Sequence, residues 1–497
     1  MLIGIDLGTT YSAVSYLDNK GKPQIILNRE DEPTTPSVVY VDGRHVIVGK
    51  RAREKALSFP EKICRCIKRL MGFKEIALQD KGTQYTPENI SAMIAKRLLE
   101  DVLLWKKEPV NGIVVTVPTY FNEIKRTATK QSVEAAVTAL KEKFEFAEYV
   151  SRVAFVAIID EPKAAALYYS HKTEQECGKV LIYDLGGGTF DATLVKLSEN
   201  KVTVIAEGEE HEAGGAFFDE KILNYVMDEV DEKYHIDLRK KEYENERAKI
   251  LLEAENCKKK LSEEGVDTVN MTVSIKHKTV DIPLTRKCFE EMIEPYVYRT
   301  IDTIDEMLDE KGISSLEIDE IVPVGGSSKI PYVREALRSF FGKELSEAID
   351  PEKAVAYGAA IYAGMRYRED VTCGKAKNKE ASIPLILEDV CAHSIGLLLT
   401  KNATTMEKEN HVLIEENTPI VAEAEQEFDT ACDGQTYIKI ELTEAGNKFT
   451  EQVIKLPERL PKGTKVQIRI RVNRDHFIEV AMRIPAIDFW EEYEVAV

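Results

Sequence analysis

Residues 179–197, KVLIYDLGGGTFDATLVKL, decide the fold of this chain. An apolar run that ends at Asp184 is typical of a buried strand, and a second, alternating run reaches Leu197. The glycines between them, Gly186 to Gly188, predict a hairpin turn, because glycine accepts the positive φ that such turns require. Without Cβ atoms, the N–H groups of the turn can close on an anion, so a phosphate is the expected guest. The Asp184 carboxylate, at the strand end, can hold a hydrated Mg²⁺ beside that phosphate.

The same plan occurs near the start of the chain. Residues 3–17, IGIDLGTTYSAVSYL, predict a strand that ends at Asp6, a turn with Gly8, Thr9 and Thr10, and a second strand. One such hairpin could be an ordinary tight turn, but two copies are hard to dismiss. We therefore expect a duplicated lobe, in which each lobe offers a hairpin to one polyphosphate in the cleft between them.

Composition is typical of a soluble protein with several domains. The chain has 497 residues, 43% of them hydrophobic and 31% charged, which suffices for about two to four globular domains. A formal net charge of −19 argues against a broad nucleic-acid surface and against anionic membranes. No stretch approaches the roughly 18 consecutive apolar residues of a membrane span, and the chain enters a strand at once without a signal peptide. The eight cysteines form no Cys-x-x-Cys pair, so we expect reduced thiols and a cytoplasmic location.

Two residues between the hairpins suit a phosphate site but have plainer interpretations. Lys68 lies in the basic stretch 50–74, where composition alone favours a solvated helix face. Glu161 follows the apolar strand 153–159, and a carboxylate past the end of such a strand is where open α/β sheets bind ligands. A ligand contact and a simple helix cap are equally open for Glu161.

Two later stretches are similarly open. The predicted helix 240–262 places a group of polar residues on one face, as helical ion pairs on a solvated surface would also do. The turn at Gly325 and Gly326 precedes a helix, which suits either a nucleotide contact or a tight connection.

The last quarter of the chain changes character. Helix 352–364 is nearly all small residues, which permits close approach to a sheet. An apolar patch, Ile383 to Leu387, lies inside a polar linker and is odd unless it docks somewhere. Beyond it, strands alternate with turns, which predicts an all-β sandwich of about a hundred residues. The predicted domains are a two-lobed α/β domain at 1–370, a linker at 371–388 and a β sandwich at 389–497. The predicted strands of the sandwich are 411–414, 436–442, 450–455, 465–472 and 476–484.

These pieces, in this order, resemble the 70-kilodalton heat-shock chaperone family (DnaK-like) over nearly the whole chain. The matching strings are GIDLGTTYS (4–12), IKRLMG (67–72), YTPENISAM (85–93), VTVPTYFN (115–122), DEPKAAAL (160–167), IYDLGGGTFD (182–191), GGAFFD (214–219), LTRKCFEE (284–291), VGGSSKIP (324–331), DPEKAVAYGAAI (350–361) and DGQTYIKIEL (433–442). Any one string can arise by chance, but the ordered set is specific. The resemblance implies an actin-like two-lobed ATPase domain with duplicated lobes, followed by a small β sandwich that binds substrate.

The resemblance also implies a role for the polar residues of the cleft. Lys68 resembles the lysine that meets the γ-phosphate and the attacking water, and Glu161 the carboxylate that senses and positions them. Asp6 and Asp184 are similar to the pair that holds Mg²⁺ through water, with K⁺ as a further implied ion. The implied phosphate and catalytic-centre residues are Gly8, Thr9, Thr10, Tyr11, Gly186, Gly187, Gly188, Thr189 and Asp191. The implied ribose and adenine contacts are Glu255, Lys258, Lys259, Ser262, Gly325, Gly326, Ser327 and Lys329.

The family's mechanism implies that ATP loosens a bound peptide and that hydrolysis restores tight binding. By linkage the peptide would affect ATP equally, with a coupling of about 1–3 kcal/mol. The residues whose positions resemble the peptide cleft are Leu397, Thr400, Phe428, Ala431 and Ile438. Ordinary sandwich core is an equally open interpretation of them.

Several positions depart from the family's pattern. Lys259 and Lys329 stand where two arginines clamp adenine, and lysine lacks the planar guanidinium that stacks on a ring, so we expect adenine binding weaker by about 1 kcal/mol. Ala157 stands where an arginine receives the J-domain co-chaperone, so a standard J-protein is not expected to stimulate the protein, whereas a nucleotide-exchange factor is an implied partner. Since the sequence stops after the β domain, we expect the family's helical lid to be absent.

The sequence therefore predicts an ATP-dependent chaperone that hydrolyses ATP to control its binding of extended apolar peptides and unfolded proteins. The alternative is a nucleotide-dependent binding module for a specialised protein partner, with little turnover. A kinase or actin-like member of the same superfamily is a third interpretation, and the β domain and apolar linker argue against it.

Overall fold

The computed structural model describes residues 1–173, 178–276, 278–372, 385–402, 407–474 and 476–495. They divide into two units. The first contains residues 1–119, 128–202 and 206–386, and the second contains 120–127, 203–205 and 387–497. The sequence-based boundaries at 370 and 388 stay a prediction.

Helices and strands alternate through the first unit, and the second unit consists mainly of strands. The helices are α1 (Lys50–Lys55), α2 (Pro87–Lys106), α3 (Glu123–Lys141), α4 (Ala147–Val150), α5 (Glu161–Thr173), α6 (Gly215–Tyr234), α7 (Glu244–Leu261), α8 (Arg286–Glu310), α9 (Pro331–Phe341) and α10 (Ala354–Thr372). The strands up to residue 200 are β1 (Leu2–Asp6), β2 (Tyr11–Leu17), β3 (Pro23–Ile26), β4 (Thr35–Pro36), β5 (Val38–Asp42), β6 (His45–Val48), β7 (Ile63–Arg65), β8 (Leu78–Asp80), β9 (Thr83–Tyr85), β10 (Gly112–Val117), β11 (Phe155–Asp160), β12 (Gly178–Leu185) and β13 (Phe190–Ser198). The later strands are β14 (Lys201–Glu210), β15 (Thr268–Ile275), β16 (Lys278–Thr285), β17 (Glu320–Val324), β18 (Ile386–Glu388), β19 (Ile395–Asn402), β20 (Glu407–Ile414), β21 (Ala422–Asp429), β22 (Gln435–Glu444), β23 (Asn447–Leu460), β24 (Lys465–Val472), β25 (Ile478–Ile484) and β26 (Phe489–Glu494).

The first hairpin lies in a mixed sheet with the strand order β11-β10-β1-β2-β3, and β4 also pairs with β2. Strand β1 runs parallel to β10, and β10 runs parallel to β11. Strand β1 runs antiparallel to β2, with Asp6 opposite Ala13. The predicted strand–turn–strand over residues 3–17 is therefore confirmed, and the carboxyl ends of β1, β10 and β11 meet at one edge of the sheet.

The second hairpin lies in a sheet of the same design, with the order β17-β12-β13-β14-β18. Strand β12 runs antiparallel to β13, with Asp184 opposite Asp191, and parallel to β17. The predicted hairpin at 179–197 is thus confirmed. Part of the apolar patch forms the edge strand β18, where the Ile386 N–H donates to the Asn200 carbonyl at 2.9 Å. Residues 383 and 384 of the patch lie outside the described residues.

Helix α10 packs at backbone contact, as its small residues predict. A Cβ added at Gly358 would lie 1.7 Å from the Ala164 carbonyl oxygen of α5. A Cβ added at Gly4 of β1 would lie 2.2 Å from the Ala360 backbone nitrogen of α10. Any larger side chain at these two glycines would separate the helix from its neighbours. The helix is longer than expected, because it continues to Thr372.

The second unit contains two antiparallel four-stranded sheets, with the orders β20-β19-β22-β23 and β21-β24-β25-β26. One apolar cluster joins them, with Leu442 from one sheet and Ile470 and Val480 from the other fully buried. Four of the predicted strands lie within β20, β22, β23 and β24, and the fifth, 476–484, contains β25 but begins two residues before it. The sequence did not predict β19, β21 and β26. Among the described residues, no helix combines the length and apolar character needed to cross a membrane.

Candidate nucleotide-binding site

A cavity of about 440 Å³ lies in the first unit, and residues of both glycine hairpins line it. The predicted site residues on its wall are Asp6, Gly8, Thr9, Thr10, Tyr11, Glu161, Asp184, Gly186, Gly187, Gly188, Thr189, Asp191, Glu255, Lys258, Lys259, Ser262, Gly325, Gly326, Ser327 and Lys329. Lys68 is the exception, since it does not line the cavity and reaches it through Glu161. Residues spread over more than 300 positions of sequence therefore lie around one cavity.

The two glycine turns lie directly against each other. A Cβ added at Gly187 would lie 2.3 Å from Thr10 Oγ1, and one added at Gly188 would lie 2.4 Å from Thr9 Oγ1. Either contact is far inside van der Waals distance, so only glycine lets the second turn approach the hydroxyls of the first. The Ser327 hydroxyl donates to the Gly186 carbonyl at 2.8 Å and holds the second turn in place. The cavity thus has a floor of hydroxyl and backbone groups from both lobes, which suits an anion.

The carboxylates of Asp6, Asp184 and Asp191 form an acidic centre beside these turns. Burial, and next the nearby Glu161 carboxylate, raise the pKa of Asp6 to about 7. The same two causes raise the pKa of Asp184 and of Asp191 well above the ordinary value, with Asp6 adding to the effect on Asp184. Crowded carboxylates of this kind need a nearby cation, because each ionised group raises the cost of ionising the next.

The ammonium group of Lys68 faces this centre. Lys68 lies on a 3-10 helix, Ile67–Leu70, and its side chain is only 5% exposed. Its ammonium forms an ion pair with Glu161, which lies at the start of α5 directly after β11. The charge of Lys68 also lowers the pKa of Asp6 and Asp184, against the larger effect of burial. Lys68 is therefore a buried lysine aimed at carboxylates rather than part of a solvated helix face.

Asp191 and Thr189 are linked to each other. The Thr189 hydroxyl donates to Asp191 Oδ2 at 3.3 Å, and the backbone N–H of Thr119 donates to Asp191 Oδ1 at 3.1 Å. These bonds fix the Thr189 hydroxyl at the mouth of the second turn. Its position beside Gly188 and the acidic centre suits a contact with a phosphate or with a water molecule.

The far end of the cavity is lined by ion pairs from α7. Lys259 Nζ lies 2.7 Å from Glu255 Oε1 and donates to the Tyr11 hydroxyl at 2.9 Å. Arg53 of α1 also donates to the Tyr11 hydroxyl, and its Nη2 lies 2.8 Å from Glu255 Oε2. Although burial acts in the opposite direction, Lys259 and Arg53 lower the pKa of Glu255. This network joins the first hairpin to α7.

Two further ion pairs line the same end. Lys258 Nζ donates to the Gly215 carbonyl at 2.6 Å and lies 2.7 Å from Asp219 Oδ1. Lys329 Nζ lies 3.0 Å from Glu352 Oε2, and both side chains are about half exposed. Lys259 and Lys329, the two lysines predicted to contact adenine, therefore each have a carboxylate partner.

Sequence reasoning missed Arg53, Asp219 and Glu352. Asp219 ends the string GGAFFD and Glu352 lies in DPEKAVAYGAAI. Both strings resemble the family, so the two residues could have been predicted as part of the site. Arg53 lies in a basic stretch with no distinguishing motif, and its role depends on partners distant in sequence.

The residues predicted for the peptide cleft differ in burial, and their role in peptide binding stays a prediction. Leu397 and Ile438 belong to the buried core of the sandwich, and Phe428 packs against that core. Thr400 and Ala431 are exposed. For Leu397 and Ile438 the positions agree with the core interpretation that the sequence left open.

A family model described as Hsp70 protein matches residues 2–484 of the chain. Members of that family are generally ATPases that bind ATP or ADP with Mg²⁺, unfolded polypeptides and co-chaperones. Because the match covers nearly all of the 497 residues, the chain belongs to the Hsp70 family.

Proposed function

We propose that this protein is an ATP-dependent chaperone that hydrolyses ATP to ADP and phosphate and thereby controls its binding of extended apolar peptides. The observation that carries the proposal is the meeting of two glycine turns over one cavity, with the Lys68–Glu161 pair at their side. Such a cavity suits a polyphosphate. The paired lysine and carboxylate suit hydrolysis, because phosphoryl transfer to water needs positioning and charge neutralisation more than a covalent nucleophile.

In this proposal the turns position the β- and γ-phosphates, with Thr9 packed against Gly188 and Thr10 against Gly187. Glu161 accepts a hydrogen bond from the attacking water and holds it in line with the γ-phosphate. Lys68 neutralises charge that develops on the γ-phosphoryl oxygens, and Thr189, fixed by Asp191, contacts the same group. Each of these residues binds or orients, and none forms a bond to phosphorus.

Asp6 and Asp184 are proposed to hold Mg²⁺ through water. The fit rests on the chemistry of the donors, since carboxylate oxygens are the ligands that Mg²⁺ prefers. It also rests on their crowding, since Asp6 adds to the raised pKa of Asp184 and Asp184 adds to that of Asp191. Held by these two carboxylates, Mg²⁺ would supply positive charge that neutralises a bound phosphate. K⁺ as a further ion, a nucleotide-exchange factor as a partner and a cytoplasmic location stay predictions from the family resemblance.

The experiment that tests the proposal is the dissociation rate of a fluorescent, unfolded apolar peptide from the full chain, with and without ATP. We expect ATP to speed release, as coupling between the two activities requires. A Gly187→Val variant provides the matched control. The valine side chain would collide with Thr10 and displace the second glycine turn, so ATP should not change the rate of peptide release from this variant. Release at one rate with and without ATP in the unaltered chain would overturn the coupling, and absence of peptide binding would overturn the chaperone assignment.

A second candidate is a nucleotide-dependent binding module with little turnover. The ion pairs Lys259–Glu255 and Lys329–Glu352 favour it, because lysines already engaged by carboxylates offer less to an adenine ring. A single-turnover assay separates the two candidates. Hydrolysis of a stoichiometric amount of bound ATP supports the chaperone, and ATP binding without hydrolysis supports the module.

A further inference from the structure

A second cavity, of about 480 Å³, lies in the first unit between β6 and α2. It shares no lining residue with the nucleotide cavity. We propose that this cavity is a docking site for an extended acidic segment of a partner protein, which adds to β6 as a further strand. This inference does not depend on the proposed function, because it concerns a different face of the first unit.

The cavity wall is rich in cations, although the whole chain has a net charge of −19. Its basic residues are Arg29, Arg51, Lys96, Arg97 and Lys143, with His45 beside them, whereas its acidic residues are Glu30 and Glu100. The cavity wall is therefore a positively charged patch on a protein whose overall charge is negative, and such a patch favours a negatively charged ligand.

Three of the five cations are already neutralised. Arg97 Nη2 lies 2.6 Å from Glu30 Oε2, and Lys143 Nζ lies 2.6 Å from Glu100 Oε1. Behind the wall, the buried Asp101 accepts from Arg29 Nε at 2.6 Å and from Arg97 Nε at 2.9 Å. These pairs engage both acidic residues of the wall, Glu30 and Glu100.

The other two cations have no such partner. Within the described ranges, no hydrogen bond or ion pair involves the side chain of Arg51 or Lys96. Arg51 lies in α1 and is exposed, whereas Lys96 lies in the middle of α2 and is half-buried. The cavity therefore presents two uncompensated positive charges from two helices, which favours an occupant with at least two negative charges.

The strand β6 is an edge strand of its sheet, so, among the described residues, one side of its backbone is not paired with another strand. The sheet order is β6-β5-β7, with Tyr40 opposite Ile47 and Val41 opposite Val46. The Val48 carbonyl accepts from Arg97 Nη1 at 3.2 Å, so it faces α2 rather than β5. Since backbone direction repeats every second residue, the N–H and C=O of Val46 face the same side.

An open edge of this kind is a template for another strand. The edge is flanked by apolar side chains, with Val46, Ile47 and Met93 on the cavity wall and Val46 38% exposed. A small anion would need only the cations. An extended peptide that alternates acidic and apolar residues would use the cations, the apolar wall and the open backbone groups together, so the structure favours the peptide.

The test is fluorescence anisotropy of the full chain with the labelled peptide Glu-Val-Glu-Val-Glu-Val. We expect saturable binding, and we expect the matched peptide Lys-Val-Lys-Val-Lys-Val not to bind. The double variant Arg51→Glu, Lys96→Glu should weaken binding by about tenfold or more, because each reversal turns an attraction into a repulsion. The double variant Lys287→Glu, Lys311→Glu makes the same change of charge outside the cavity and should leave the affinity within about twofold. Equal loss in both variants, or in neither, would overturn the proposal.

Two further measurements test strand addition itself. Val46→Pro removes the outward N–H but leaves the partner groups of β5 in place, and it should abolish binding, whereas Val46→Thr should retain it. A peptide with N-methyl groups on alternate residues, which cannot complete the ladder, should also fail to bind to the unaltered chain, so the test stands even where Val46→Pro does not fold. Inorganic tripolyphosphate provides the small-anion arm. If it displaces the peptide at equal concentration, or if the methylated peptide binds normally, the strand-addition proposal is wrong.

Discussion

The sharpest prediction concerns Lys68→Met, which keeps the length of the side chain and removes its charge. In the structure this ammonium is 5% exposed, pairs with Glu161 and lowers the pKa of Asp6 and Asp184. A charged donor aimed at a developing oxyanion in such a water-poor site is worth about 3–4 kcal/mol, which corresponds to a rate loss of about 10²–10³. Single-turnover hydrolysis, with enzyme in excess over labelled ATP, should fall by that factor. ATP affinity measured by calorimetry should change by less than about fivefold, because the glycine turns supply most of the phosphate contacts.

The control is Lys62→Met, which removes a lysine–carboxylate pair (Lys62 Nζ to Asp42 Oδ1, 2.9 Å) from the same part of the chain but outside the cleft. It should hydrolyse ATP at the normal rate. A double-mutant cycle of Lys68→Met with Glu161→Gln should show strong coupling, of about 0.5–3 kcal/mol, because the two side chains touch. A Lys68→Met rate within fivefold of normal would refute the reasoning, as would full additivity with Glu161→Gln.

Three further predictions follow from individual contacts. Replacing both Lys259 and Lys329 by arginine should tighten ATP binding about fivefold, since guanidinium stacks on an aromatic ring better than ammonium does; unchanged affinity in calorimetry would remove the stacking argument. Gly187→Ala places a Cβ 2.3 Å from Thr10 Oγ1, so ATP affinity should fall at least about tenfold while the thermal midpoint moves by only a few degrees; equilibrium dialysis and a melting curve check both. Burial opposes ionisation of Glu441, but contacts with Lys408, Lys448 and Lys439 prevail and lower its pKa to about 2. The resulting stability, about 1–2 kcal/mol after screening, should be complete above the ordinary pKa of 4.5 and lost as pH falls towards 2. Urea titrations at pH 6 and pH 3 should therefore show a larger loss for the unaltered chain than for Glu441→Gln, and equal losses would contradict the assignment.

The parts of the site that the sequence predicts well are those with a local signal. Both hairpins follow from an apolar run, an aspartate and glycines that adjoin in sequence, and the structure forms them where expected. Arg53 has no such signal, because its partners Tyr11 and Glu255 lie 42 and 202 positions away in the chain. Tertiary packing alone brings these three residues together.

The sandwich shows why the rest of the fold was harder to predict. The strand β21 has the sequence AEAEQEFD, whose alanines and glutamates favour a helix in isolation. It is a strand because it pairs with β24, where Lys465 lies 2.9 Å from Asp429 and 3.3 Å from Glu427. The alternation of apolar and polar residues along a strand also cannot distinguish a core position from a peptide-cleft position on the same face. Leu397 and Ile438 are apolar residues that suit either position, and the structure places them in the core.

The nucleotide cavity is built by two different kinds of interaction, and this division bears on the choice between chaperone and binding module. At the phosphate end, glycine-to-hydroxyl contacts and buried carboxylates admit almost no substitution, because a single added methyl group would collide with Thr9 or Thr10. At the nucleoside end, Lys259 and Lys329 are about half exposed and their ion pairs are screened by solvent. Weak recognition of the base lowers affinity for the whole nucleotide but does not alter the geometry at the γ-phosphate. For the proposed ATPase, lysine at the two positions where the resemblance implies arginine therefore argues for weaker ATP binding, not for loss of hydrolysis.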